Sequence, residues 1–183
     1  EVMTLIDIHF VDGNKGWCVG DGFASGQYFV FRTQNGGLSW ELLWTAPNFG
    51  PSSIFFASEV RGWIVGASGT ILRTDDGGLS WLAQTSGTPN NLHRPYFVDS
   101  ERGWMIGGTN QVLRTTNGGV TWISSTAPTS LGMVDILFLD PLNGSSLASN
   151  SPTGSTTDVL RTTDGGATWS VQATLALKAG GFF

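Results

Sequence analysis

The stretch Arg114-Thr115-Thr116-Asn117-Gly118-Gly119-Val120-Thr121-Trp122 decides the fold, because the chain writes it four times. Residues 32–40 read RTQNGGLSW, 73–81 read RTDDGGLSW and 161–169 read RTTDGGATW. The shared pattern is Arg-Thr-x-(Asp/Asn)-Gly-Gly-x-(Ser/Thr)-Trp. An Asp-Gly or Asn-Gly pair after a short apolar run is a strong hairpin signal. The paired glycines permit positive φ, and the Asp or Asn side chain accepts hydrogen bonds from nearby backbone N–H groups. Asn35, Asp76, Asn117 and Asp164 are therefore read as turn-forming residues. Trp40, Trp81, Trp122 and Trp169 open the next strand and cover the turn.

Upstream, Phe10, Phe56, Phe97 and Phe138 each stand seven residues before Trp17, Trp63, Trp104 and Ser145. The text between them is a polar turn, and Gly-Trp then opens GWCVG, GWIVG and GWMIG. Each repeat thus has four short strands; in the second they are expected at about 53–57, 62–66, 70–74 and 80–84. Motif tryptophans are spaced 41, 41 and 47 residues apart. The longer interval falls on a Ser/Thr/Pro/Gly-rich loop at 149–157, and the first repeat carries a similar insertion at 21–27. Four antiparallel strands per period of roughly 40–50 residues predict an all-β chain of β-propeller blades. A β-sandwich does not explain four near-identical units. The blades are expected at 5–46, 51–87, 92–128 and 133–174, with 175–183 a tail or the start of a further blade. By the repeat spacing Phe183 aligns with Ile54 and Ile136, so an incomplete or assembled ring is expected.

The Asp-Gly-Gly-x-(Ser/Thr)-Trp loop resembles the Asp-box of bacterial neuraminidase repeats. With the preceding Arg-Thr and the Gly-Trp-x-Val-Gly strand, the chain is more similar to photosystem II assembly/stability factor-like repeat proteins. That resemblance covers nearly the whole chain and implies a propeller, usually of seven blades. It also implies a scaffold whose relative binds a reaction-centre protein through a basic surface patch. The fourth repeat departs from it: Ser145 stands for the Trp and Leu147-Ala148-Ser149 for Val-Gly, which predicts a blade that is looser or more exposed at that strand.

Composition narrows the function. The 183 residues include 26 Gly and 8 Trp, with only nine Lys and Arg and a net charge of −5. No basic cluster offers itself to phosphates, so nucleic acid is not an expected partner. No apolar run approaches the roughly 20 residues of a membrane helix. The lone Cys18 lies in an apolar strand and reads as a buried, inert thiol. His9 and His93 have no metal-ligand spacing, and no metal or cofactor is expected.

Sialidase chemistry lacks its parts. Tyr28 and Tyr96 are the only tyrosines, and Phe31-Arg32-Thr33-Gln34 matches only half of a Phe-Arg-Ile-Pro motif. Arg32, Arg73, Arg114 and Arg161 hold equivalent positions and so spread over different blades. A glycosidase needs two carboxylates about 5–10 Å apart. Asp7 and Asp135 are equivalent on the innermost strand, but the sequence does not fix their separation.

The expectation is a non-enzymatic scaffold outside the cytoplasm (secreted, periplasmic or at a cell surface). It binds a protein or copies of itself; a glycan-binding or sialidase/xyloglucanase-like propeller is the alternative. Contact residues are sought where the repeat does not explain them: Trp44, Arg94 and Tyr96, with Asp7 and Asp135 near the axis.

Overall fold

The computed structural model describes residues 3–22, 26–149 and 156–176. Parts of the two expected insertions, at 23–25 and 150–155, and the tail at 177–183 with Phe183 lie outside the described residues.

The strands form four antiparallel sheets in chain order. The first blade contains β1 (Met3–Phe10), β2 (Gly16–Gly22), β3 (Gln27–Thr33) and β4 (Glu41–Pro47). The second contains β5 (Pro51–Phe56), β6 (Gly62–Gly66), β7 (Ile71–Thr74) and β8 (Leu82–Gln84). The third contains β9 (Leu92–Phe97), β10 (Gly103–Gly107), β11 (Gln111–Thr115) and β12 (Ile123–Thr126). The fourth contains β13 (Gly132–Phe138), β14 (Gly144–Ser149), β15 (Thr156–Thr162) and β16 (Ser170–Ala176). Neighbouring strands in each sheet are consecutive in sequence, so each sheet is a meander, as in a propeller blade. The first strands sit side by side, β1 against β5, β5 against β9 and β9 against β13.

The turn motif closes the same way four times. In the second blade the Thr74 hydroxyl donates to Asp76 Oδ1 at 2.8 Å and accepts the Gly78 N–H at 2.9 Å. Asp76 then accepts the Ser80 N–H at 2.9 Å and the Ser80 hydroxyl at 2.6 Å. Thr162, Asp164, Gly166 and Thr168 repeat that pattern, and Asn35 and Asn117 reproduce it with an amide. Both glycines have positive φ, 74° at Gly77 and 91° at Gly78. The polar turn ahead of each Gly-Trp or Gly-Ser repeats as well: Asp12, Ser58, Asp99 and Asp140 each accept two backbone N–H groups.

The Phe and Trp positions form the seams between blades. Trp17 stacks on Phe56 of the second blade at 3.8 Å, Trp63 on Phe97 of the third at 3.6 Å, and Trp104 on Phe138 of the fourth at 3.5 Å. The motif tryptophan of the same blade meets that Phe edge-on, as Trp81 meets Phe56 at 6.0 Å and 85°. Such geometries suit aromatic quadrupoles. The glycine of Gly-Trp exists because the Phe ring lies over it: a Cβ on Gly62 would come within 2.7 Å of Phe56. Each seam gathers its own core, such as Trp17, Val19, Val30, Ile54, Phe56 and Ile64. The second strand of the fourth blade is exposed at Ser145 and, at 43%, Leu147; the counterparts of Ser145 in the earlier blades are the tryptophans that stack on the following blade.

Candidate functional site

Three residues before each seam Phe stand Asp7, Ser53, Arg94 and Asp135. Every one of these strands carries a register irregularity just there, which turns the side chain off the regular pleat. The four residues line one cavity of about 210 Å³, together with His9 and Tyr96. The structure therefore places Asp7, Arg94, Tyr96 and Asp135 around one space. Trp44 is not among them. It is half-buried in the seam between the first two blades, with its ring 5.4 Å from Phe49 and 6.2 Å from Trp81. The β3–β4 ladder shifts register at this point, pairing Val30 with Trp44 and Phe31 with Leu42, and both Leu43 and Trp44 pack into the seam core.

Three of the four residues tie one blade to the next. Asp7 Oδ2 accepts the Ile54 N–H at 2.9 Å, while Oδ1 accepts its own neighbour Ile8. The Ser53 hydroxyl accepts the Arg94 N–H at 3.3 Å. Arg94 Nε donates to the Val134 carbonyl at 3.2 Å, and the Tyr96 hydroxyl donates to the Phe138 carbonyl at 2.9 Å. Asp135, exposed, accepts the Ile136 N–H at 3.0 Å.

Arg94 stands apart on two counts. Its φ is 54°, in the left-handed region that residues with a β-carbon avoid, and Pro95 follows it, which restricts its backbone further. Strain of this kind gathers at functional positions. Its guanidinium is exposed and makes no ion pair among the described residues.

Burial lowers the pKa of His9 below the usual imidazole value, against the opposing pull of the Asp7 carboxylate. Burial and then the Arg94 charge lower His93. Both rings are thus kept neutral at neutral pH. His9 Nδ1 accepts the Phe56 N–H at 3.3 Å, another tie between blades. Cys18 is buried, and that burial pushes its thiol up to about 11. Among the described residues no three His, Cys, Asp or Glu side chains gather to hold a metal ion. No described helix is long and apolar enough to cross a membrane.

The motif arginines serve separate blades: Arg32 pairs with Glu41 at 3.0 Å, and Arg73 reaches the Gly118 carbonyl of the next blade at 3.0 Å. Glu59 and Glu101, both exposed, meet Lys15 and Arg61 of the preceding blade. The repeat places those long side chains within reach across the seam. Sequence reasoning passed over Ser53, whose membership of the Asp7 and Arg94 column is visible once the repeats are aligned on the seam Phe.

A comparison with curated proteins gave no match. A structure described as YCF48 bound to D1 peptide matches with a TM-score of 0.59 and 18% identity, over 92% of this chain and 66% of that one. YCF48 from Cyanidioschyzon merolae matches with a TM-score of 0.53 and 16% identity, over 93% and 85%. A GH74 enzyme from Niastella koreensis matches with a TM-score of 0.68 and 13% identity, over 91% and 30%. At these identities the likeness is one of fold, and the chain spans under two-thirds of the first of these structures and under a third of the enzyme. A family profile described as photosynthesis system II assembly factor YCF48 matches residues 1–81 and 48–131. Because those matches together span well over half of the 183 residues, the chain belongs to the YCF48 assembly-factor family.

Proposed function

We propose that the chain is a non-enzymatic scaffold that binds a segment of a protein partner across its inner strands, in an extracytoplasmic compartment. The observation that carries this reading is Arg94: a strained, exposed guanidinium without an acidic partner, held at the innermost strand beside Tyr96. Arginine and tyrosine are the side chains protein interfaces favour. A YCF48 structure described as bound to a D1 peptide supports the same class of partner. Asp7 offers no general acid or base in this reading, because both of its oxygens already accept backbone N–H groups.

Two further readings have some support. Leu5 and Ile8 on the first blade and Leu137 and Leu147 on the fourth are exposed, which suits association with a second copy. The fold shared with GH74 enzymes, one of them described as a xyloglucanase, keeps a xyloglucan-type hydrolase as the alternative.

Calorimetric titration with a D1 peptide, beside a xyloglucan hydrolysis assay, separates the classes. The proposal expects saturable peptide binding, weakened at least about tenfold by Arg94→Ala, and no sugar release. Sugar release without peptide binding would overturn it.

A further inference from the structure

Equivalent side chains fill equivalent clefts, so each seam is a control for the next. Between the second and third blades two arginines share acidic neighbours. Arg61 and Arg73 both pair with Asp75, at 2.7 and 2.6 Å, and Arg61 also pairs with Glu101 at 2.8 Å. Between the third and fourth blades the same positions hold Arg102, Arg114, Thr116 and Leu142. Both of the acidic residues that serve the earlier cleft are gone.

The consequences differ for the two arginines. Arg102 folds back onto Asp99 of its own turn at 2.6 Å. The Arg114 side chain has no hydrogen bond or ion pair among the described residues, and its Nε is shut off from solvent without an acceptor. Arg32 Nε in the first blade is shut off in the same way, but its guanidinium pairs with Glu41 at 3.0 Å, whereas Arg114, half-buried, has no acid to pair with among the described residues. Arg114 lines a cavity of about 230 Å³ with Trp104, Pro141, Leu142 and Gly165. Asp164 also borders it, but its oxygens accept from Thr162 and Thr168 within the turn. The space is below the roughly 300–1,000 Å³ of cofactor and small-molecule sites. It suits one side chain.

We infer that this cleft receives an acidic side chain of a protein partner. Its carboxylate takes the place on Arg114 that Asp75 takes on Arg73, and its methylenes lie on Pro141 and Leu142. A guanidinium fork and a carboxylate are matched in geometry as well as charge. The inference rests on the protein-binding reading, and goes beyond it by naming a second contact away from Arg94.

The test follows the Nε–Hε resonances of Arg114 and Arg94 in the 183-residue chain. The probes are a short blocked peptide with one glutamate between leucines, its glutamine counterpart, acetate and a D1 peptide. The Arg114 signal is expected to move and saturate with the glutamate peptide only. Thr116→Asp installs the missing counterpart of Asp75 at an exposed position. It is expected to raise the melting temperature and to weaken the glutamate peptide about tenfold or more. An Arg114 signal unmoved by the glutamate peptide overturns the inference, as does an unchanged affinity in Thr116→Asp. An equal response to acetate also overturns it, since the cleft would then hold a bare anion. If the D1 peptide moves Arg94 while Arg114 stays still with every probe, the cleft fails and the protein-binding reading stands. If neither responds to any peptide, both fail.

Discussion

The Asp7 carboxylate reaches out of the first blade and accepts the Ile54 N–H of the second at 2.9 Å. A side chain thus satisfies a backbone donor on the edge of the neighbouring sheet, where no strand pairs with it. Ser53 does the same for Arg94 one blade further on. Asp7→Ala leaves the buried Ile54 amide without its acceptor and should cost about 1–3 kcal/mol, part of it recovered in Asp7→Asn. Urea unfolding measures this, and an unchanged midpoint in the alanine variant would remove the tie from the account.

The seam tryptophans differ in one hydrogen bond. The Trp17 indole donates to the Gly77 carbonyl at 2.8 Å. The Trp63 indole is buried without an acceptor, because the equivalent Gly118 carbonyl already accepts from Arg73 and Gln84. Replacement by Phe removes similar bulk at both sites. Trp17→Phe should therefore cost about 1 kcal/mol more than Trp63→Phe. Equal costs would mean that the Gly77 bond contributes nothing.

Gly77 combines a φ of 74° with a carbonyl, that of Glu59, 3.0 Å from where a β-carbon would stand. Gly77→Val should cost about 1–3 kcal/mol through backbone strain. Gly13, with nothing within 4 Å, is the control, and Gly13→Ala should stay within about 0.5 kcal/mol. Thermal unfolding of the two variants checks the contrast.

The turns, the strands and the blade repeat are legible in the sequence because they depend on residues close together in the chain. The seams are less so. Phe10 and Trp17 recur at a fixed spacing, but Trp17 stacks on Phe56 of the next blade, and nothing local announces a partner so distant. Trp44 drew notice because no motif contains it, yet it packs beside Phe49 and Trp81 at a register shift that the sequence does not announce. Asp7 and Asp135 are recognisable as equivalents since both are aspartates. Ser53 and Arg94 belong to the same column but differ in chemistry, so only alignment on the seam Phe joins them. The Arg114 cleft needs two columns compared at once, Asp75 against Thr116 and Glu101 against Leu142, and the knowledge that adjacent blades supply them.

Two of the four turns titrate and two do not. Donation from the Thr168 hydroxyl and N–H, and from Thr162, holds Asp164 at about 2. Asp76 is also lowered: burial opposes ionisation there, but donation from Ser80 and Thr74 outweighs it. A carboxylate lowered by folding stabilises above its unfolded pKa, and that stability is lost as pH falls through the folded value. The loss is expected between about pH 4 and pH 2. The double variant Asp76→Asn, Asp164→Asn copies the turns at Asn35 and Asn117. Its unfolding midpoint should fall less steeply across that window than the parent's. A parallel fall would place the acid sensitivity elsewhere.

The central claim is that the glycine-paired bends build the blades while the inner strands and the third-to-fourth seam meet the partner. Hydrogen–deuterium exchange of the chain with and without a D1 peptide tests it most directly. The account predicts new protection at residues 92–97 and 132–138 and around 114–116 and 141–142, with the bends at 33–40 and 74–81 unchanged. Protection confined to those two bends would contradict it.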